Sequence, residues 1–363
     1  MTLAVLLLIA TGATVILGRV GLGWRAAATS SAVLVLAVAP AFVSEFWVKQ
    51  ILSQTLYLGI IAMSLIFLAG LGGMVSLAQV SVAGLAGYAV AILVTNYGFS
   101  IGLGIVAGVV AGPVAGFLFG AISVRTEGIY LLMITVALAM LTFFLAQQNF
   151  TIFGGHRGFA IDAPVVGALD WGATNPFYYL SLTIAVLLFA FVKYVDRTPF
   201  GLALQGVRDN PRRMSALGYW VGLHRVVAFA VAGFIAGFGG ILLGWYKNAM
   251  SPNSINLEAN IDLLIIAMVG GVVWAEGAFI GAFVFTWLDN FTAEFFSRER
   301  FNTVIGLIFV VVLLWDPDGL LGIGRRIIRG VQRIFRRPDP GDVAGSSTEG
   351  IPQQADSTVR LPP

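Results

Sequence analysis

The chain has 363 residues, 58% of them hydrophobic and 11% charged, with a formal net charge of +3 and a mean hydropathy of +0.91. A soluble globular domain carries about 25% charged residues, so the composition excludes one and calls for a chain that crosses a membrane many times. Cysteine is absent, which excludes disulfides, thiolate nucleophiles and cysteine-held metals, and the positive charge sits in connections between apolar runs, as membrane orientation requires, rather than in a nucleic-acid-binding patch.

A membrane helix needs roughly 20 apolar residues. Met1–Leu17 is the first candidate, and no basic residue precedes it as a signal peptide would require. Ala26–Val43 and Ile51–Ala69 follow. The uncharged stretch Gly70–Gln79 then interrupts the pattern with Gly70, Gly72 and Gly73, leads to Ser76 and Gln79, and runs straight into Val80–Thr95. Ile101–Ser123 and Ile129–Ala146 are the next spans, with Arg125 and Glu127 between them. Gln147–Pro176 holds Asp162 and Asp170 against Arg157 and reads as external.

Phe177–Val192 delivers the chain to Lys193–Arg225, the most basic internal connection, with Lys193, Arg197, Arg208, Arg212, Arg213 and Arg225 against Asp196 and Asp209. Basic loops stay on the cytoplasmic side. This one also carries helix signals. Thr198-Pro199 starts a short amphipathic helix with Phe200, Leu202, Ala203, Leu204 and Val207 as its apolar set. Asp209-Asn210-Pro211 stops it and starts a second, which ends at Gly218. Two short helices make a surface for a cytoplasmic partner; the plainer reading is a charged loop that only sets topology.

Val226–Tyr246 is another span, and Lys247–Asn260 is turn-rich and external. Ile261–Val273 is short and apolar, Trp274–Gly277 interrupts, and Ala278–Phe296 and Asn302–Trp315 follow. The tail Arg325–Arg337 has six arginines and no acid, so it belongs in the cytoplasm. Two crossings within Ile261–Phe296 put it there, for about 10–11 spans in all, at the expense of leaving Arg298 and Arg300 outside. Pro338–Pro363 has the composition of a disordered segment.

Glycine-rich breaks thus interrupt both halves of the chain, Gly70–Gly73 in one and Gly270-Gly271 in the other. Unwound backbone at membrane depth is tolerated where protein or a water-filled cavity covers it, and paired breaks point to a substrate path; close packing through small residues is the other reading. Glu127, Asp262, Glu276 and Asp289 fall at or near span ends, so intramembrane acids for ion coupling are scarce. The two histidines, His156 and His224, lie in different loops, and no phosphate-cradling GxxxxGK[ST], Ser-His-Asp or HExxH pattern occurs. These features favour a transport protein over an enzyme.

Five motifs in order resemble the larger permease type of bacterial branched-chain amino-acid ABC importers. They are Gly73-x-x-Ser76-Leu77-Ala78-Gln79 with Gly84-x-x-Gly87-Tyr88; Arg125-x-x-Gly128-x-Tyr130 with Thr135; Gly154-Gly155-His156-Arg157-Gly158; Gly201, Arg208-Asp209-Asn210 and Ala216-Leu217-Gly218-Tyr219; and Gly319-Leu320-Leu321-Gly322. Ala78, Val273, Ala278 and Asp318 depart from the family pattern in regions that bear on the substrate. The resemblance implies an all-α polytopic membrane fold in the inner membrane. It implies an N-terminal extension over 1–50, a permease domain over 51–324 and a cytoplasmic tail over 325–363. It makes Gly201, Arg208, Asp209, Asn210, Pro211, Ala216 and Gly218 an ATPase-coupling surface. Gly72, Gly73, Ser76, Gln79, Tyr88, Tyr130, Thr135, Gly270 and Gly271 become a substrate path. The implied partners are a second permease subunit, two ABC ATPase subunits that bind the ATP, a periplasmic binding protein and membrane lipid; the chain itself holds no cofactor or metal. Branched-chain amino acids lead as substrate, with urea, short amides and aromatic acids carried by related proteins. A stand-alone secondary transporter or channel is the alternative.

The topology has a direct test, since the chain is already free of cysteine. A single cysteine at Asp170 should react with a membrane-impermeant reagent on intact cells, and one at Ser215 should not. The opposite labelling would invert the orientation.

Overall fold

The computed structural model describes residues 24–161, 165–166, 169–170 and 172–295, with the isolated positions 306 and 322. Met1–Leu17, Arg325–Arg337 and Pro338–Pro363 lie outside the described residues, as do Asn302–Trp315 except Gly306 and the Gly319–Gly322 motif except Gly322. The described part is almost wholly helical. In chain order the helices are α1 (Trp24–Phe42), α2 (Gln54–Gly72), α3 (Gln79–Ala91), α4 (Ile101–Ser123), α5 (Ile129–Gln148) and the single turn α6 (Phe150–Phe153). They continue with α7 (Thr174–Arg197), α8 (Pro199–Asp209), α9 (Pro211–Ala216), α10 (Val221–Lys247), α11 (Leu257–Gly270) and α12 (Ala275–Phe295). Wider π-helical turns, Trp47–Ser53 and Ile92–Asn96, extend α2 at its start and α3 at its end.

Six of these helical stretches are long and apolar enough to span a membrane. They are Trp47–Gly72, Gln79–Asn96, Ile101–Ser123, Ile129–Gln148, Thr174–Arg197 and Val221–Lys247. The pair α11 and α12, bent by 116° at its break, adds a seventh if it is one span. The protein is therefore a polytopic all-α membrane protein. The expected span at Ala26–Val43 appears as the 19-residue helix α1, which contains Pro40. The interruption expected at Trp274–Gly277 lies earlier, because α12 already begins at Ala275.

Burial separates a core from a rim. The apolar windows of α2 and α10 are 78% and 72% buried, whereas those of α4, α5 and α7 are 33%, 33% and 39%. The inner helices are apolar all round, as a helix surrounded by other helices must be. The outer ones leave Val106, Val110, Leu118, Leu141 and Leu187 exposed, the surface a lipid-facing helix needs. Glycines let the backbones of α4 and α10 meet. Gly104, Gly108, Gly112, Gly116 and Gly120 repeat every fourth residue and are all buried on one face of α4. A Cβ on Gly112 would come within 2.5 Å of the Gly233 carbonyl oxygen. This is small-residue packing, in which close backbone approach replaces the hydrophobic effect that lipid cannot supply.

The connection Gln147–Pro176 is not a simple loop. Asn149 caps α6 by accepting from the Ile152 N–H, and Gly155–Arg157 forms a 3-10 turn. β1 (Phe159–Ala160) then pairs antiparallel with β4 (Ala249–Met250), tying this connection to the one after α10. A second small antiparallel pair joins β2 (Val165–Val166) to β3 (Leu169–Asp170).

The α4–α10 contact makes a direct prediction. Overpacking a well-packed core costs about 1–3 kcal/mol, occasionally more, and here the obstacle is backbone. Gly112→Leu should therefore lower thermal stability in detergent by at least about 3 kcal/mol. Gly102→Ala, whose Cβ would meet nothing within 4 Å, should unfold like the parent.

Candidate functional site: two helix breaks joined to a two-helix loop

The first break follows Gly72. Gly73 takes φ +65°, closes α2 with its N–H on the Ala69 carbonyl, and turns the chain back. Residues 74–78 then re-enter the bundle before α3 begins at Gln79. The Ser64 hydroxyl lies 3.1 Å from Gln79 Oε1. Ser64 stands eight residues before Gly72, and at 1.5 Å per residue that is about 12 Å along α2. α3 therefore starts well inside the bundle, not at its edge.

A helix start carries N–H groups with no partner of their own, and leaving one buried and unpaired costs about 1–3 kcal/mol. Other helices supply the partners. Asn260 of α11 accepts from the Val80 N–H at 3.2 Å and donates to the Ser81 hydroxyl at 3.2 Å. Thr135 of α5 accepts from the Leu77 N–H at 3.1 Å. The Ala78 N–H donates to Ser76 Oγ at 3.4 Å. Ser64, Ser76, Gln79, Ser81, Thr135 and Asn260 are all buried. Together they form a polar seam through an otherwise apolar core.

The second break joins α11 to α12. Gly271 has φ +109° and ends α11. Gly270 lies against Gly277 so tightly that a Cβ on either would overlap the other's backbone. The two breaks touch: a Cβ on Gly70 would stand 3.1 Å from the Val272 carbonyl oxygen.

The connection after α7 folds as its capping signals indicate. Thr198 caps α8 by accepting from the Gly201 N–H at 3.4 Å. Asn210 caps α9 by accepting from the Arg213 N–H at 3.0 Å. α9 closes in a Schellman motif, with Tyr219 N–H on the Met214 carbonyl, Gly218 N–H on the Ser215 carbonyl, and Gly218 at φ +88°. Gly201 lets α8 fold back on the end of α7, because a Cβ there would overlap the Val195 carbonyl. Ala203, Leu204 and Val207 are buried as expected, but Leu202 is 59% exposed. The reason is geometric: at 100° per residue Leu202 falls outside the arc that Leu204 and Val207 share. It faces outward with Leu217 and Trp220, the latter 76% exposed.

Arg208 links this loop to the first break. Its Nη1 donates to the Gly70 carbonyl at 2.5 Å and its Nε to Asp209 at 3.0 Å. A Cβ on Gly73 would come within 2.5 Å of Arg208 Cγ. Lys193, at the end of α7, reaches the second break: its Nζ is 2.9 Å from Glu276 Oε1 and packs over the rings of Phe189 and Trp274. Arg225 at the start of α10 pairs with Glu127 at 2.7 Å, closing the same end of the bundle. Between the two breaks and α8 lies a cavity of about 250 Å³, lined by Gly70, Leu71, Lys193, Asp196, Gln205, Arg208 and Trp274 among others.

The residues singled out from sequence thus divide. Gly72, Gly73, Ser76, Gln79 and Thr135 gather at the first break, and Gly270 and Gly271 form the second. Tyr88 is buried farther along α3, edge-on to Phe153 at 5.2 Å, with no partner for its hydroxyl among the described residues. Tyr130, on the first turn of α5, is 68% exposed and joins neither break. Asp262 and Asp289, expected at or near span ends, are the sixth residue of α11 and the fifteenth of α12. Asn260 was not foreseen, although Asn256 and Asn260 at an i, i+4 spacing ahead of an apolar run is a visible signal. Among the described residues no group of three or more His, Cys, Asp or Glu could hold a metal.

The polar seam can be tested without substrate. Thr135→Val and Asn260→Ala should each destabilise by about 1–3 kcal/mol by stranding a buried N–H, and should raise hydrogen exchange across 74–82. Thr135→Ser keeps the acceptor and should behave like the parent.

Comparison with known proteins places this arrangement. The family described as branched-chain amino acid transport system, permease component, matches residues 47–313. The high-affinity branched-chain amino acid transport system permease protein LivM of Escherichia coli is 26% identical over 318 residues, covering 81% of this chain and 74% of that protein. The LivH permease of Salmonella typhimurium is 27% identical over 173 residues, 47% of this chain and 52% of that one. A probable LivM of Methanocaldococcus jannaschii is 23% identical over 224 residues, 56% and 64%. No solved structure matches. With most of its length matched, including both breaks and the two-helix loop, the chain belongs to the family of branched-chain amino acid transport permeases.

Proposed function

We propose that the chain is the larger membrane permease of an ATP-driven importer. In this reading it passes branched-chain amino acids from a periplasmic binding protein to the cytoplasm. It pairs with a second permease, and two ATPase subunits dock on the loop within Lys193–Arg225. Residues 51–324 form the permease domain, and the tail from 325 is cytoplasmic. The chain hydrolyses no ATP itself; its sequence has no phosphate-cradling motif.

One observation carries the reading. The two-helix loop is fastened to the helix breaks. Arg208 holds the Gly70 carbonyl, Gly70 touches the second break, and Gly201 locks α8 against α7. A push on α8 is then felt where α3 starts, inside the bundle. Rigid elements with discrete arrangements are how a distant energy source moves a path. The outward face of the loop suits docking, with Arg212 and Arg213 exposed beside Leu202, Leu217 and Trp220. An apolar anchor with an arginine rim is a common interface composition.

A stand-alone ion-driven carrier is the second reading, favoured by Asp262 and Asp289 within apolar helices. Reconstitution separates the two. Leucine uptake into vesicles should require binding protein, ATPase and ATP; uptake by the purified chain alone on an ion gradient would favour the carrier.

Docking and coupling separate as well. Gly218→Val distorts the exposed end of α9 at a cost of about 1–2 kcal/mol and should release the ATPase on co-purification. Arg208→Glu loses the Gly70 tie. It should leave the protein inserted and leucine binding by the separate binding protein unchanged, and it should abolish uptake. If both variants keep the ATPase and transport normally, the loop only sets topology.

A further inference from the structure

We propose that the cavity between the two breaks and α8 is a binding site for a free, zwitterionic amino acid with an apolar side chain, filled from the cytoplasm. This rests on the permease reading for substrate class and sidedness, and goes beyond it in placing a second, inward-facing site. At about 250 Å³ the cavity is far larger than the ~10–15 Å³ that a single water needs. Its lining is divided. Ile66, Phe67, Leu71, Val192, Val273 and Trp274 supply its apolar lining, and Lys193, Asp196, Gln205 and Arg208 its polar lining. Few convergent polar groups on an apolar wall is the make-up of a small-molecule site.

The polar groups are held and carry both signs. Glu276 takes one hydrogen of Lys193 at 2.9 Å, and an ammonium has three to give. Gln205 donates to Asp196 Oδ1 at 2.8 Å, leaving Oδ2 as an acceptor. Arg208 is fixed by Gly70 and Asp209. The two cations suit a carboxylate, Asp196 suits an ammonium, and the apolar lining suits an aliphatic side chain. A singly charged solute satisfies only half of this set.

The walls are also the coupling parts. An occupant touches α8 through Gln205 and Arg208, and the second break through Val273 and Trp274, so it stands between the loop and the break it drives. Amino acid already inside the cell therefore slows further import by this chain.

The experiment uses labelled leucine and the purified full-length chain in lipid nanodiscs, with no binding protein. Saturable binding is expected at leucine concentrations up to ~1 mM, the upper end of ordinary substrate affinities. Asp196→Asn and the cavity-filling Val273→Trp should each weaken it at least tenfold. 4-Methylpentanoate, which lacks the ammonium, and isoamylamine, which lacks the carboxylate, should not compete. Absence of binding in the parent, equal binding in both variants, or competition by either singly charged analogue would each overturn the site. In vesicles carrying the whole importer, leucine on the ATP side should slow uptake several-fold, relative to each protein's own uninhibited rate, in the parent and not in Asp196→Asn. Uptake untouched by leucine on that side would overturn the regulatory step while leaving the permease reading intact. Binding in nanodiscs with no ATP-driven uptake of leucine would count against the permease reading and support the site.

Discussion

Everything in this structure depends on one constraint: backbone opened inside an apolar bundle must still find hydrogen-bond partners. Six residues, Gly73 to Ala78, carry the chain from the end of α2 back to a helix start about 12 Å along the bundle. In water those N–H groups would cost little. In lipid or a dry core each must be matched, and the matches come from elsewhere in the sequence: Asn260 from α11 and Thr135 from α5. The break therefore fixes the relative depth of α3, α5 and α11. The interior of α2 has few other polar groups to offer, and its Ser64 meets Gln79.

Glycine is the second element of the same design. A permease core has little hydrophobic force between its helices, because lipid tails are as apolar as leucine. Close backbone approach supplies dispersion contact instead. The α4–α10 face is built this way, and so is the Gly270–Gly277 clasp at the second break. Gly201 uses the same device outside the span, bringing α8 onto the end of α7. From that position Arg208 reaches the Gly70 carbonyl.

Local signals were legible in the sequence and long-range partners were not. Thr198-Pro199, Asn210-Pro211 and Gly218 announce helix ends through backbone geometry that belongs to those residues themselves, and the loop folds accordingly. The glycine runs likewise announce where helices stop. But Arg208 and Gly70 are 138 residues apart, and Asn260 and Val80 are 180 apart; no periodicity contains that pairing. Arg208 reads as an outward docking residue because arginine in a basic loop usually faces water. In the fold its side chain stays 40% exposed while its guanidinium also reaches the Gly70 carbonyl left over at the end of α2. Leu202 errs the other way, since an apolar residue in a short amphipathic helix is expected to be buried. Tyr130 belongs to a motif that resembles the family's, yet it stands on the outer face of α5, where a motif cannot say which way a side chain points.

The contact between the two breaks decides how movement passes through the molecule. Gly70 meets the Val272 carbonyl backbone to backbone, with no side chain between. A side-chain contact can absorb a shift of an ångström by changing rotamer, whereas packed backbone cannot. Arg208 adds a charged hydrogen bond to that same glycine's carbonyl, stronger than a neutral one. The two breaks thus meet with little slack, and the loop joins them through the Arg208 side chain. Lys193 runs a second connection from α7 to the second break through Glu276. That pair is partly exposed, and such pairs contribute little to stability, so its role lies in orientation. Two side-chain links thus join one loop to two breaks, Arg208 to the first and Lys193 to the second, so a displacement of the loop reaches both.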